Sequence, residues 1–185
     1  MTVTQTPLEG VLVIEPRVFG DSRGSFHETY REDLYREHGV PYSFVQDNLS
    51  TSVRGVLRGL HLQHPRGQAK LVYAVLGEVF DVCVDVRVGS PTFAKAFGTT
   101  LSAETGRQLL IPPGFAHGFC VLSERAAFAY KCSDVYSPGT QFTVAWNDPE
   151  IGIEWPIADP ILSDKDREGL PLSGLLDRLP RYEAR

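Results

Sequence analysis

Residues 79–87 read VFDVCVDVR. Phe80, Val82, Val84 and Val86 alternate with Asp81, Cys83, Asp85 and Arg87. Successive side chains of a strand point to opposite sides, so only a strand sorts this period of two into faces, one apolar and one polar. Working outward, candidate strands at 92–101, 107–111, 117–122, 126–134 and 141–147 follow at the short, even spacing of sandwiches and jelly rolls. Glu104-Thr105-Gly106 lies between two apolar runs and reads as a hairpin turn, as does the region around Gly77. Upstream of these, residues 31–38 read as a short helix stopped before Gly39. Past Trp155-Pro156 the pattern changes to short helical pieces, LSDKDREG and LSGLLDRL, expected over the outside of the β-core. No repeat or low-complexity linker intervenes, so residues 1–185 read as a single, mainly β domain.

The bulk numbers narrow the class. A chain of 185 residues with 42% apolar and 22% charged residues can bury a sizeable core and has the composition of a soluble globular protein. The N-terminal MTVTQTPLEG lacks a basic segment followed by an apolar one, and no apolar run approaches the ~20 residues that span a bilayer. The expectation is therefore no export and no membrane partner. Cys83, Cys120 and Cys132 stand singly inside apolar runs without CxxC spacing, which fits buried thiols in a reducing cytoplasm. A net charge of −5 argues against nucleic acid as a partner but leaves room for a small anion, because screening over ~8 Å lets local arginines decide.

Chemistry concentrates in two stretches. IPPGFAHGF supplies Pro112, Gly114 and His117 as P-x-G-x-x-H, the second signature of the cupin jelly roll. A metal-binding cupin would offer H-x-H and a glutamate in its first signature, since iron or manganese needs several N and O ligands converging on one point. Here the matching stretch gives His61, then Gln63, and no acid before Lys70, so no metal is expected. The second stretch, VLRGLHLQ at 56–63, places Arg58, His61 and Gln63 in a strand-like apolar run. Buried polar groups without partners are costly, so these residues are either solvated or serve a site. In a regular strand Arg58 and His61 point to opposite faces; a bulge at Gly59 would re-aim one of them.

Other candidates have a second meaning. His117 is a site residue or a turn histidine satisfied by backbone. Lys70 opens an apolar strand, as an oxyanion partner or as a side chain snorkelling to the strand end. Tyr130 is a proton donor or an ordinary sheet tyrosine. Asp166 is a site acid or the far end of a Ser163-x-x-Asp166 capping box.

Together, PRVFGDSRGSFHE, FVQDNLSTS, GVLRGLHLQ, GEVFDVCVDVRVGSPTF, IPPGFAHGF and WNDPEIGIEWP make nearly the whole chain resemble the dTDP-4-dehydrorhamnose 3,5-epimerase family. The resemblance implies a metal-free cupin jelly roll that works as a homodimer and inverts C3 and C5 of dTDP-4-dehydro-6-deoxyglucose. It implies His61 as general base with Asp166 as its partner, Lys70 stabilising the enolate and Tyr130 donating the proton. It implies Arg58 at the diphosphate, Tyr136 stacking on thymine, His117 in the sugar pocket and Asp81 as an inner acid. Phe19, Arg23, Phe26, Glu28, Gln46 and Asn48 match the nucleotide-recognising segment, with N-terminal strands within residues 1–50 exchanged between subunits. Rival readings are a monoepimerase of a related dTDP-ketosugar, a metal-dependent cupin oxygenase and a non-enzymatic sugar-nucleotide sensor.

Overall fold

A computed structural model describes residues 1–183. The chain begins with β1 (Thr2–Gln5), β2 (Leu12–Glu15) and a small ribbon of β3 (Phe19–Asp21) and β4 (Gly24–Phe26), followed by α1 (Glu32–Glu37). Then come β5 (Gln46–Val53), β6 (Leu57–Gln63), β7 (Lys70–Leu76), β8 (Glu78–Asp85), β9 (Ala96–Ser102), β10 (Gln108–Ile111), β11 (Phe115–Val121), β12 (Arg125–Cys132) and β13 (Gln141–Thr143). A four-residue α2 (Asp164–Arg167) and two 3-10 turns, Leu172–Gly174 and Leu176–Arg178, complete it.

The strands form two facing antiparallel layers, a six-stranded sheet in the order β1-β2-β10-β7-β12-β5 and a five-stranded sheet in the order β13-β6-β11-β8-β9. This is the jelly roll expected from the sequence. Between the layers lies an apolar core that includes Val72, Val79, Cys83, Leu109, Phe119 and Phe128. Tyr35 of α1 closes the outer side of the six-stranded sheet over Ile14, Leu71 and Leu110.

Strand β8 alternates as expected, yet both of its faces are buried. The side carrying Asp81 and Cys83 points inward between the sheets. Phe80, Val82, Val84 and Val86 point outward, under Leu172, Leu175, Leu179 and Trp155 of the C-terminal pieces. The acids tolerate this because each has partners: Asp85 accepts hydrogen bonds from Arg87, Ser90 and Thr92, and Asp81 is paired with His117. Because Ser90 and Thr92 are committed to Asp85, the strand expected from residue 92 starts only at Ala96.

The two hairpin readings are corrected. Gly77 links β7 to β8, and Glu104–Gly106 links β9 to β10, and in both cases the strands belong to different sheets. These are corners that carry the chain across the sandwich. Gly77 has φ +70°, and a Cβ there would lie 2.2 Å from the Arg125 carbonyl oxygen, so the corner admits no side chain. The strand expected over 141–147 stops at Thr143, and Val144 bridges to Leu170 of the C-terminal segment instead.

Candidate active site

The site grows from an irregularity in β6. His61 pairs with His117 and Arg58 with Phe119, so β6 takes three steps where β11 takes two. The extra residue is a bulge at Gly59, which has φ +124° and whose added Cβ would lie 2.6 Å from the Gly118 Cα. Only glycine permits that approach. The consequence is that Arg58 and His61, three positions apart, both line the same cavity of ≈ 430 Å³.

His61 and Asp166 are 105 residues apart in sequence and meet at 2.5 Å, Nε2 to Oδ1. Asp166 is well supplied: Ser163 Oγ donates to Oδ2 at 2.7 Å and the Gly59 amide approaches Oδ1 at 3.4 Å. Ser163 Oγ also accepts from the Asp166 amide at 3.2 Å, so Asp166 is both the capping-box residue and the partner of His61. A carboxylate at Nε2 places the proton there and leaves Nδ1 as the ring's acceptor, with His61 lining the cavity.

A second histidine–acid pair stands beside the first. His117 Nε2 lies 2.9 Å from Asp81 Oδ2, and its ring stacks on Phe128. Asp81 is wholly buried behind the cavity wall. Thus β6 and β11 present two imidazoles in direct register, each held by its own carboxylate.

The facing sheet supplies the opposite wall. Gln46, Asn48 and Ser50 come from β5, Lys70 from β7, and Phe128, Tyr130 and Cys132 from β12. Cys132 pairs with Lys70 and Tyr130 with Val72, so Lys70 and Tyr130 share one face two residues apart along the sheet. His61 and Tyr130 therefore reach the cavity from opposite layers. Tyr136, Gln141 and Lys165 form the mouth, where Gln141 Oε1 accepts hydrogen bonds from the Tyr136 hydroxyl at 2.8 Å and from Lys165 Nζ at 2.5 Å.

Burial tunes these groups. It depresses the His61 imidazole below its ordinary value, against the pull of Asp166. Burial pushes the Asp166 carboxyl upward, but the hydrogen bonds from His61, Ser163 and Gly59 outweigh it and hold the group below the usual range. Burial also lowers the Lys70 ammonium, opposed by Cys132 and Asp81, and raises the phenol of Tyr130. At neutral pH the cavity thus holds a neutral imidazole facing a protonated phenol.

The structure collects His61, Lys70, Tyr130, Asp166, Gln46, Asn48, Arg58, His117 and Tyr136 around one cavity, with Asp81 behind it. Phe19, Arg23 and Phe26 sit apart on the exposed β3–β4 ribbon, and Glu28 is exposed near Arg31. Sequence reasoning missed Gln68, Gln141, Cys132 and Lys165. Gln68, two residues before Lys70, and Lys165, beside Asp166, had a signal in their neighbours; Gln141 had none. Among the described residues, no group of three or more His, Cys, Asp or Glu side chains converges as a metal cage would.

A jelly roll whose cavity opposes an acid-held histidine to a tyrosine, with a lysine beside them, defines a cupin-type isomerase. A sequence model described as dTDP-4-dehydrorhamnose 3,5-epimerase matches residues 5–173. The chain belongs to this family. A dTDP-4-dehydrorhamnose 3,5-epimerase of Pseudomonas aeruginosa is 56% identical over 171 residues, covering 91% of this chain and 94% of the relative. A dTDP-4-dehydrorhamnose 3-epimerase of Streptomyces niveus is 44% identical, covering 95% and 86%. Among solved structures, a Legionella pneumophila 3,5-epimerase in complex with dTDP-4-keto-L-rhamnose superposes with a TM-score of 0.96 at 47% identity, covering 99% of each chain.

Proposed function

We propose that this chain inverts C3 and C5 of dTDP-4-dehydro-6-deoxyglucose, giving dTDP-4-dehydro-L-rhamnose without metal or cofactor. The observation that carries the reading is the placement of His61 and Tyr130 on opposite layers of the cavity. Epimerisation removes a proton from one face of a sugar ring and returns one to the other, which calls for a base and an acid on two sides. His61 Nδ1 takes the proton beside the C4 ketone, and Asp166 supports the resulting imidazolium. The electron pair of the broken C–H bond moves to the C4 oxygen, where the Lys70 ammonium meets the charge. Tyr130 then protonates the opposite face. The cycle has no net proton change, so His61 and Tyr130 are reset through solvent.

Binding follows the same division. Arg58 holds the diphosphate, where a planar guanidinium matches two oxygens. His117 meets the sugar, and Gln46, Asn48 and Tyr136 meet the nucleoside. Phe19, Arg23, Phe26 and Glu28 act from a second copy of the chain in a homodimer with exchanged N-terminal strands. Support comes from the outward face of the six-stranded sheet, where Leu49, Ala129 and Tyr73 align across three strands and Leu49 is 65% exposed. A second copy would cover that face and the free edge of β5. The three cysteines are all free and buried, in keeping with a cytoplasmic enzyme.

The sequence relationship to a 3-epimerase gives a second reading, inversion at C3 alone. Incubation with dTDP-4-dehydro-6-deoxyglucose in heavy water, followed by proton NMR, separates them. Loss of both the C3 and C5 hydrogen signals with an inverted product is expected. Exchange at C3 alone would make the chain a monoepimerase, and binding without exchange would make it a sensor.

A further inference from the structure

Of the three polar residues in VLRGLHLQ, Arg58 and His61 line the cavity and Gln63 does not. Gln63 stands two residues beyond His61 on the same side of β6 and is only 7% exposed. A buried amide needs partners, and an apolar residue would fill the space without them. The partners of Gln63 are all backbone atoms of two loops. Its Nε2 donates to the Arg66 carbonyl oxygen at 2.8 Å and to the Val135 carbonyl oxygen at 3.3 Å, and its Oε1 accepts from the Ser137 amide at 2.9 Å. The last two belong to the peptide units on either side of Tyr136. A primary amide suits this task, because a carboxylate offers no donor and a hydrocarbon offers neither donor nor acceptor.

Further bonds hold the same loop. Gln46 Oε1 accepts from the Tyr136 amide at 2.8 Å, so the peptide between Val135 and Tyr136 is gripped at its oxygen from β6 and at its nitrogen from β5, strands of opposite sheets. Gln68 Nε2 donates to the Asp134 carbonyl oxygen at 2.7 Å. Tyr136 itself is 50% exposed, and its hydroxyl donates to Gln141, the residue that pairs with Gln63 between β13 and β6. An exposed ring at the cavity mouth is thus carried on a backbone fastened from beneath.

We propose that Gln63 is a positioning residue: it fastens the loop carrying Tyr136 before any ligand arrives, and it acts on nucleotide binding only through that ring. A ring on a loose loop loses freedom when it meets a ligand, which weakens binding, whereas a ring already set loses little. The fastening stands on the hydrogen bonds; its effect on binding rests on the nucleoside contact proposed for Tyr136.

Gln63→Met keeps the length of the side chain and removes the amide. In the folded variant the Ser137 amide should lose protection against hydrogen exchange. Calorimetry with dTDP should show Kd raised roughly 2- to 12-fold, the range for immobilising one side chain at an interface. KM should rise with it while kcat stays near wild type, as for an interaction made equally with bound substrate and transition state. A double-mutant cycle separates positioning from a general loss of structure. In the Tyr136→Ala background, Gln63→Met should add almost nothing to the loss of dTDP affinity. An equal loss with and without the ring, or unchanged affinity in Gln63→Met where Tyr136→Ala weakens binding, overturns the proposal. Wild-type protein gives a check that does not depend on the variant folding: without ligand the Ser137 amide should exchange slowly, and rapid exchange there overturns the proposal as well. If Ser137 is protected in wild type and freed in Gln63→Met, yet Tyr136→Ala leaves dTDP affinity unchanged, the fastening holds and the nucleoside role of Tyr136 fails instead.

Discussion

The cavity floor and the β3–β4 ribbon follow opposite rules of construction. On the floor, polar side chains are buried and tied: His61 to Asp166, Asp166 to Ser163, His117 to Asp81. On the ribbon, Phe19 is 51% and Phe26 71% exposed, Arg17 lies over the Phe19 ring, and Arg23 is bonded to Asp21 of the same turn. The floor draws on three strands of the five-stranded sheet and on α2, whereas β3 and β4 pair only with each other. A tied floor keeps its geometry through a reaction; apolar rings held in water suit a surface they have yet to meet. The difference fits the proposed division, in which the floor of one chain carries the proton chemistry and the ribbon of another closes over the nucleotide.

The sharpest way to break that division is to remove the base. His61→Ala should reduce hydrogen exchange at C3 and C5 by about 10²–10⁴-fold, the usual cost of losing a positioned general base. Calorimetry with dTDP should give nearly wild-type affinity, because the proposed nucleotide contacts lie elsewhere. Near-normal exchange in this variant would move the base away from His61 and detach the floor from the chemistry.

The floor was only partly legible in the sequence. The alternation of VFDVCVDVR announced a strand, but not that its polar side would be the inside; a layer covered on both faces reverses the simple expectation. Gly59 between Arg58 and His61 made a bulge foreseeable, and the register shift bears it out. The pairing of Asp166 with His61 spans 105 residues and entered only through family resemblance, since no spacing rule reaches that far. Gly77 and Glu104-Thr105-Gly106 were legible as turns but not as corners, because a turn signal is local and the choice of strand partner is tertiary. Gln141 at the mouth was invisible for the same reason.

Arg58 lies where the floor gives way to the binding surface. Its guanidinium is exposed and spans Ser52 Oγ at 3.1 Å and the Thr51 carbonyl oxygen at 3.5 Å. Arg58→Leu should weaken dTDP binding by about 1.5–3 kcal/mol, the worth of hydrogen bonds to a charged group, or roughly 10- to 150-fold in Kd. Bound substrate should still exchange hydrogen. If affinity were unchanged in the folded variant, Arg58 would belong to the β5–β6 framework rather than to the ligand.

The smallest expected effect tests the ribbon. Phe26 is largely exposed, so Phe26→Ser should leave the melting temperature unchanged. If the ring closes over a nucleotide, its loss should weaken dTDP binding by about the 0.5–1.5 kcal/mol of an aromatic contact, roughly 2- to 12-fold. That shift alone does not say which chain the ring serves, but a mixing experiment does. His61→Ala has a damaged floor and an intact ribbon; Phe26→Ser has the reverse. In a mixed dimer with exchanged ribbons, the intact floor of the Phe26→Ser chain lies under the intact ribbon of the His61→Ala chain, which restores one wild-type site. With ribbons folded over their own chains, every site keeps one defect. Co-refolding the two variants and assaying exchange at subsaturating substrate should therefore exceed the mean of the separate preparations. Activity equal to that mean would return the ribbon to its own chain and leave the two regions of this comparison without a shared site.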